Sequence, residues 1–135
     1  MRGLERYRMD ERLTFERRCW YAMTMLPGYG DDPYVSPVRV DDVTPRGSRM
    51  FELTFLNLGY AAGVQGFKSI FRTLKRGRGF ILAEQLGKAE RGYIFQNLTP
   101  DWLEKNLGPG SAERFLSDDG SPNERRLLAS AATPY

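Results

Sequence analysis

Residues 50–79 read MFELTFLNLGYAAGVQGFKSIFRTLKRGRG, and the predicted fold is built outward from this stretch. Its first part, Met50–Leu56, places Phe51, Leu53 and Phe55 on one face of an extended chain. A period of two is typical of a strand with one buried side. We therefore predict a strand here as the central element of the fold.

The second part of the same stretch is predicted to be a helix. Its apolar side chains recur at the spacing of one helix face. They are Val64, Phe67, Phe71 and Leu74. Gly77 and Gly79 follow at the point where glycine commonly ends a helix.

The N-terminal region is predicted to be another helix, over about residues 4–26. One apolar stripe at helical spacing indicates the face that packs on the core. The stripe consists of Met9, Leu13, Trp20 and Met23. Acids alternate with the arginines of this region, which argues against a basic helix that reads a nucleic-acid groove. Pro27 and Gly28 would end the helix.

Residues 27–47 are predicted to form an extended Pro- and Gly-rich loop, because four prolines in this segment oppose helix formation. Val38 and Val40 would form at most a short edge strand, since Pro37 lacks the N–H that an interior strand needs. Loops of this length are often functional or lie along a partner.

Residues 80–96 leave two alternatives open. Phe80–Gln85 could pair with Tyr93–Gln96 as a hairpin, or the segment could form a short helix that ends near Arg91. Gly87 and Gly92 favour the hairpin, because glycine weakens a helix interior by about 1 kcal/mol.

The C-terminal third predicts three short helical units. Thr99 is the expected N-cap of the first, ahead of Pro100, and Ser111 opens the second. Ser121 is the expected cap of the third, with Pro122 at its first helical position and Glu124 completing a capping box.

Together these elements predict one α+β domain over residues 1–135. It is a small mixed domain with an N-terminal helix, a short antiparallel sheet and several short C-terminal helices, followed by a short tail, residues 131–135. A hydrophobic share of 41% in 135 residues is enough for one buried core.

Composition excludes several kinds of site. The chain has no histidine and a single cysteine, Cys19, so we expect no metal site, no disulfide and no cofactor. We expect an intracellular protein, in the cytoplasm, an organelle or a virion. No apolar run is long enough to cross a bilayer, and we do not expect contact with a membrane surface.

Gly59, Gly63 and Gly66, followed by Lys68 and Ser69, resemble a phosphate-binding loop in composition alone. The GxxxxGK[ST] spacing fails, because Phe67 separates the last glycine from the lysine. We interpret the glycines as sites of close packing.

Three acidic pairs lie in predicted loops, and carboxylates of this kind can hold Mg²⁺ for hydrolysis. The pairs are Asp31-Asp32, Asp41-Asp42 and Asp118-Asp119. Paired aspartates in Pro- and Gly-rich segments are more commonly turn residues. A metal-dependent hydrolase is therefore only the third hypothesis for function.

One run of cations, with no acid among them, is the candidate anion-binding site. It consists of Lys68, Arg72, Lys75, Arg76 and Arg78. On a helix, most of these side chains would line one side and bind phosphates or carboxylates. The alternative is that cations near a helix C-terminus only offset its dipole. Tyr60, Phe80 and Tyr93 are the candidate stacking residues.

These observations predict a non-enzymatic binding protein. We expect an accessory or structural subunit of a larger intracellular or viral assembly, with other protein subunits, identical or different, as partners and a basic helix tip for an anionic one. The alternative is a nucleic-acid-binding protein that contacts RNA or DNA phosphates through the same cations.

Overall fold

The structure, a computed structural model, describes residues 4–9, 13–26, 35–47, 49–58, 65–73, 80–82 and 91–131. Within these ranges the chain is mostly β-structure. The strands are β1 (Arg6–Arg8), β2 (Thr14–Glu16), β3 (Cys19–Met25), β4 (Val35–Pro45), β5 (Met50–Asn57), β6 (Gln65–Thr73), β7 (Phe80–Leu82) and β8 (Gly92–Asn97). The helices are α1 (Pro100–Leu107), α2 (Ser111–Phe115) and α3 (Glu124–Ala131).

Six of the strands close into an antiparallel barrel. Each strand from β3 to β8 pairs with the next one along the chain, and β8 pairs back to β3. Strands β1 and β2 pair separately and form an N-terminal hairpin. Closing a sheet on itself gives one interior that alternate side chains of every strand must fill.

Aromatic rings fill much of that interior. Phe71 on β6 stacks on Phe51 of β5 at a centroid distance of 5.7 Å. It also meets Phe95 of β8 edge-on at 5.4 Å. The other lining residues include Tyr21, Met23, Val38, Val40, Leu53, Phe55, Phe80 and Tyr93. Aromatic pairs contribute roughly 0.5–1.5 kcal/mol each beyond the area they bury, so this core ties strands together across the barrel.

The N-terminal hairpin closes one end of the barrel, where β3 begins, β4 ends and β5 begins; we call this the hairpin end. Phe15 of β2 is 0% exposed, and its ring contacts Tyr21 at 5.0 Å and Phe95 at 5.4 Å. The backbone N–H of Leu4 donates to the carbonyl of Val43 at 2.8 Å. The hairpin thus continues the core rather than lying on the surface.

Strand β4 pairs with β5 on one side, and its neighbour on the other side changes part of the way along the strand. Its register against β5 shifts between Val40 and Asp42, so Asp41 is an extra residue in the strand. Before the shift β4 pairs with β3, and after it Val43 bridges to Leu4. This β-bulge lets one strand belong first to the barrel wall and then to the hairpin.

The three helices, which we call the helical cap, cover the outer face of β3. Trp20 and Ala22 point outward from β3 and are buried in one cluster with Trp102, Leu103 and other apolar residues of the cap. The indole N–H of Trp102 donates to Oγ1 of Thr24 at 3.0 Å. Strand β3 is therefore buried on both of its faces.

Glu124 joins the start of α3 to the barrel. Its Oε1 accepts from Nη1 of Arg39 at 2.9 Å and from Nε1 of Trp20 at 3.2 Å. The hydrogen bond from Arg39 is the main reason that the pKa of Glu124 lies below its ordinary value, and the Trp20 bond and the charge of Arg18 act in the same direction against burial. Arg39 also donates to Asp41 at 2.7 Å.

The α+β fold class and the N-terminal helix are wrong. The region predicted as a helix over residues 4–26 instead supplies β1, β2 and β3. The physical reason is the double burial of β3: Tyr21 and Met23 face the interior while Trp20 and Ala22 face the cap. A strand that is apolar on both faces loses its period of two and resembles a helical stripe.

The helix predicted after the central strand is also wrong, because Gln65–Thr73 is strand β6. Phe67 and Phe71 belong to the interior core, and Ser69 pairs with the inward-facing Leu53 between them. That polar residue on the inner face, and Ile70 on the outer face, removed the alternation that identifies a strand. Val64, Leu74, Gly77 and Gly79 lie outside the described residues.

The loop predicted over residues 27–47 is wrong for Val35–Pro45, which form the 11-residue strand β4. Pro37 lies opposite Ala22 of β3, yet its carbonyl accepts from Leu58 N–H on the β5 side at 3.3 Å. In an antiparallel ladder the N–H and C=O of a residue point to the same neighbour. The position of the missing N–H therefore faces Leu58 and not β3, and the ladder with β5 begins at the next residue, Val38. Residues 27–34 lie outside the described ranges.

Other predictions agree with the structure. The central strand is β5, and the pairing of Phe80 with Tyr93 and of Ile81 with Gly92 agrees with the hairpin alternative. Residues 83–90, which include Gln85 and Gly87, lie outside the described ranges. Three short C-terminal helices are present. Thr99 caps α1 by accepting from the N–H of Trp102 at 3.2 Å.

The predicted start of the third helix is wrong. Helix α3 begins at Glu124, and Asn123 caps it by accepting from the N–H of Arg126 at 3.1 Å. The hydroxyl of Ser121 donates instead to Asp119 at 2.6 Å, so it is committed to the preceding turn. The single domain stays a prediction, as does the tail, most of which lies beyond the described residues.

Replacing Phe15 with alanine tests the role of the N-terminal hairpin. We expect Phe15→Ala to lower the free energy of unfolding by about 3–5 kcal/mol, because it leaves a cavity at the end of the core. Leu4→Ala is the matched control, since Leu4 is 41% exposed and its loss should cost no more than about 0.5 kcal/mol. Urea denaturation measures both. Equal, small effects would show that the hairpin does not stabilise the barrel.

Replacing Glu124 with glutamine tests its link to Arg39. The lowered pKa means that the ion pair stabilises the fold above the ordinary glutamate pKa of 4.5, and that the stabilisation disappears as the pH falls through the lower folded value. We expect the thermal midpoint of Glu124→Gln to fall less between pH 6 and pH 3 than that of the parent. Glu113→Gln, an exposed position on α2, should keep the parental profile. A parental profile for Glu124→Gln would refute the link.

Candidate anion-binding surface

The outer sides of β5 and β6 form a surface with no buried residue, which we call the β5–β6 face. Because β5 places Phe51, Leu53 and Phe55 inside, its alternate residues point outward. The register then fixes the outward residues of β6. The face consists of Met50, Glu52, Thr54, Leu56, Gly66, Lys68, Ile70 and Arg72, each of them half-buried or exposed.

A single carboxylate organises two cations on this face. Glu52 accepts from Nη2 of Arg46 at 3.1 Å and lies 3.3 Å from Nζ of Lys68. Burial alone would raise the pKa of Glu52, but the bonds from Arg46 and Lys68 outweigh it and the pKa lies below its ordinary value. Glu52 therefore stays ionised at neutral pH, and its two partners together exceed its charge by one.

The end of β6 lies beside the β4–β5 turn at the hairpin end. The N–H of Thr73, the last residue of β6, donates to the carbonyl of Arg49 in the β4–β5 turn at 2.8 Å. Thr73 pairs with Phe80 in the register of β6 and β7. Thr73, which precedes the segment 74–79, thus lies beside the Arg46–Arg49 turn, and Phe80, which follows that segment, lies one strand further away; the segment itself is outside the described residues.

Charge is concentrated in this part of the chain. Residues 46–82 contain seven Lys and Arg residues and one acid, a net charge of +6, while the whole chain has a net charge of +3. The remaining residues therefore sum to −3. The four cations in the described portion of this region are Arg46, Arg49, Lys68 and Arg72.

The structure brings together part of the predicted anion site. Lys68 and Arg72 both point outward from β6, on a strand rather than a helix. Lys75, Arg76, Arg78 and Tyr60 lie outside the described residues. The sequence interpretation missed Arg46 and Arg49, because Glu52 separates them from the run of cations that begins at Lys68. The signal that could have found them is their position just before the β5 strand.

The two predicted stacking residues within the described ranges lie inside the barrel. Phe80 is 4% exposed and Tyr93 is 6% exposed. The ring of Phe80 packs edge-on against Phe51 at 5.3 Å, and that of Tyr93 against Phe71 at 6.1 Å. Both rings are thus buried among other rings of the core and are not exposed for stacking on a base.

The glycine-rich segment does not present a phosphate-binding loop in its described part. Lys68 and Ser69 are neighbours in the middle of β6, so their side chains point to opposite faces of the sheet. A phosphate loop needs the lysine and the hydroxyl to converge on one ligand. Gly59 and Gly63 lie outside the described residues.

The acidic pairs that are described serve structural contacts. Asp41 accepts from Arg39, and Asp42 accepts from Nη2 of Arg17 at 3.0 Å. Asp119 accepts from the N–H and hydroxyl of Ser121, and these bonds lower its pKa. Asp31 and Asp32 lie outside the described ranges. Among the residues that are described, no three His, Cys, Asp or Glu side chains form a metal-binding group.

A cleft of about 390 Å³ lies between the barrel and the start of α3, with Glu16, Arg18, Asn97 and Glu124 among its lining residues. Both carboxylates already bind cations, Glu16 with Arg6 at 3.1 Å and Glu124 with Arg39. Burial and the charge of Glu16 raise the pKa of Cys19, which keeps its thiol protonated. The cleft therefore offers no acid–base pair and no activated nucleophile.

Arg18, at the rim of this cleft, has φ of 66°, the left-handed conformation that favours glycine. We expect Arg18→Gly to raise the free energy of unfolding by about 0.5–1 kcal/mol, since the strain of roughly 1–2 kcal/mol exceeds the extra entropy of glycine in the unfolded chain. Urea denaturation provides the measurement.

Arg17→Gly is the control in the same turn. The guanidinium of Arg17 bridges Glu5 at 2.7 Å and Asp42 at 3.0 Å, and Arg17 has no positive φ. This variant should be less stable than the parent. A decrease in stability in both variants would show that Arg18 is not strained.

No helix in the described part of the chain combines the length and apolar character needed to cross a membrane. No protein-family model, curated protein or solved structure shows significant similarity to this chain.

Proposed function

We propose that this chain is a non-enzymatic binding protein that holds an anionic macromolecule through the β5–β6 face and the adjoining hairpin end of the barrel. We place it as an accessory or structural component of a larger intracellular or viral assembly. The observation that carries the proposal is the net charge of +6 in residues 46–82, against −3 in the remainder of the chain.

The arrangement of those charges supports binding more than solubility alone. The outward cations on β6 and the Arg46–Arg49 turn adjoin one another, since Lys68 and Arg46 share Glu52 and Thr73 at the end of β6 bonds to Arg49. Clustered cations of one sign attract polyanions and accelerate their association. Cations needed only for solubility would gain nothing from such segregation.

A charge-reversal series tests the proposal. The probes are fluorescent single-stranded poly(U) RNA and poly-glutamate, titrated with the full chain at several salt concentrations. We expect at least one probe to bind at low salt. We expect Arg49→Glu/Arg72→Glu to weaken that binding by about tenfold or more. For RNA, the slope of log affinity against log salt should fall by about 0.7 for each phosphate that the variant no longer neutralises.

Lys105→Glu/Arg125→Glu is the matched control, with the same change of charge at exposed positions of the helical cap. It should bind almost as the parent does. Reversal of Lys75, Arg76 and Arg78, in the same cationic part of the sequence, should weaken binding likewise and provides the test if the first variant is poorly folded. Absence of binding by both probes, or equal weakening in the test and control variants, would refute the proposal.

A further inference from the structure

We infer that the partner of the β5–β6 face is an acidic protein segment that also carries aliphatic side chains. This inference rests on the proposed function and names the chemistry of the partner. It depends on three features of the face: its apolar residues, its glycine and the order of its charges.

The face is apolar as well as cationic. Met50, Leu56 and Ile70 are half-buried and lie among the polar and charged outward residues. The helical cap buries the outer face of β3 around Trp20 and Ala22, and no residue of the β5–β6 face belongs to that buried cluster. A partner that covers Leu56 and Ile70 would recover hydrophobic free energy, at roughly 25 cal/mol for each Å² of apolar surface.

Gly66 is an independent indication of close approach from outside. It is exposed, it pairs with Leu56, and a Cβ added to it would meet no atom within 4 Å. Its φ lies outside the left-handed region, so neither a turn nor crowding within the described chain requires glycine. Glycine inside a strand weakens it and often marks a place where another backbone approaches.

The order of charges matches an acidic polypeptide. Lys68, Ile70 and Arg72 alternate cation, aliphatic, cation along the outer side of β6. An extended chain presents the same order on one of its faces when acidic and aliphatic residues alternate at every second position, which is a repeat of four residues. The acids already near the face are bound by cations of this chain, Glu52 by Arg46 and Lys68, and Asp42 by Arg17.

A nucleic acid fits the same face less well. Single-stranded nucleic acids are held by cations together with aromatic rings that stack on the bases. None of the eight residues of the β5–β6 face is aromatic. A phosphodiester chain would satisfy the cations and leave Ile70 and Leu56 uncovered.

Two designed peptides provide the test. In one, every second residue is in turn glutamate or an aliphatic residue, valine or leucine, with serine at the positions between; in the other, serine also replaces the valine and leucine. We expect the first peptide to bind in a salt-dependent manner, and the second to bind about fivefold more weakly or worse. Binding is measured by fluorescence anisotropy, with poly(U) RNA as a third probe.

Variants of the face complete the experiment. Gly66→Val fills the open position with a good strand former; we expect the fold to be at least as stable, and binding of the first peptide to fall about fivefold or more. Ile70→Ser should have a similar effect on binding. Ile94→Ser, at a half-buried outward position of β8, is the matched control and should bind as the parent does.

The outcomes separate this inference from the proposed function. If RNA or the serine peptide binds as well as the first peptide, and Gly66→Val and Ile70→Ser have no effect, the acidic aliphatic partner is refuted while anion binding stands. If no anionic probe binds, both are refuted. If Gly66→Val does not fold, the test is the comparison of Ile70→Ser with Ile94→Ser. Equal binding of the first peptide by these two variants would refute the acidic aliphatic partner.

Discussion

The packing of Phe51, Phe71 and Phe95 is the constraint on which the rest of the structure depends. These rings come from β5, β6 and β8 and meet inside the barrel. Because successive side chains of a strand alternate in direction, fixing the inward residues also fixes the outward ones. A slip of one residue in β6 would carry Phe71 to the surface and Lys68 and Arg72 into the core. The surface chemistry is therefore a consequence of the interior packing.

The barrel has two unlike outer sides. The side around β3 is apolar, with Trp20 and Ala22 covered by the chain's own helices, and Glu124 fastens those helices to Arg39. The side around β5 and β6 is cationic and partly apolar, and it belongs to neither buried cluster. The chain thus provides its own partner for one side. We attribute the anionic partner to the other.

Sequence reasoning succeeds here where one local rule decides the structure. The strand β5 is solvated on its outer side and buried on the inner, so Phe51, Leu53 and Phe55 show a clear period of two. The cap at Thr99 depends only on neighbours in the chain. Sequence reasoning fails where tertiary contacts override the local pattern. Strand β3 is buried on both faces, and β4 tolerates Pro37 because the missing donor faces away from β3 and precedes the ladder with β5.

The candidate site was predictable as composition but not as geometry. Lys68 and Arg72 were recognisable as cations without nearby acids. The predicted helix, however, gives them neighbours different from those that they have on the outer side of β6. Arg46 and Arg49 join them only because β4 and β5 form a hairpin whose turn adjoins the end of β6. That adjacency depends on pairing between distant segments, which a single sequence does not specify.

The additional residue Asp41 in β4 determines which of the later side chains of this strand face the interior of the barrel. Val38 and Val40 face the interior before it, and Val43 faces the interior after it. If the same residues continued as a regular strand without the bulge, strict alternation would turn the Asp42 carboxylate inward and Val43 outward. The carbonyl of Val43 would then point away from the N–H of Leu4, and the hydrogen bond that attaches the hairpin would be lost. One irregular residue in this strand, more than its composition, therefore determines whether the barrel end is sealed by apolar side chains or opened by a charge.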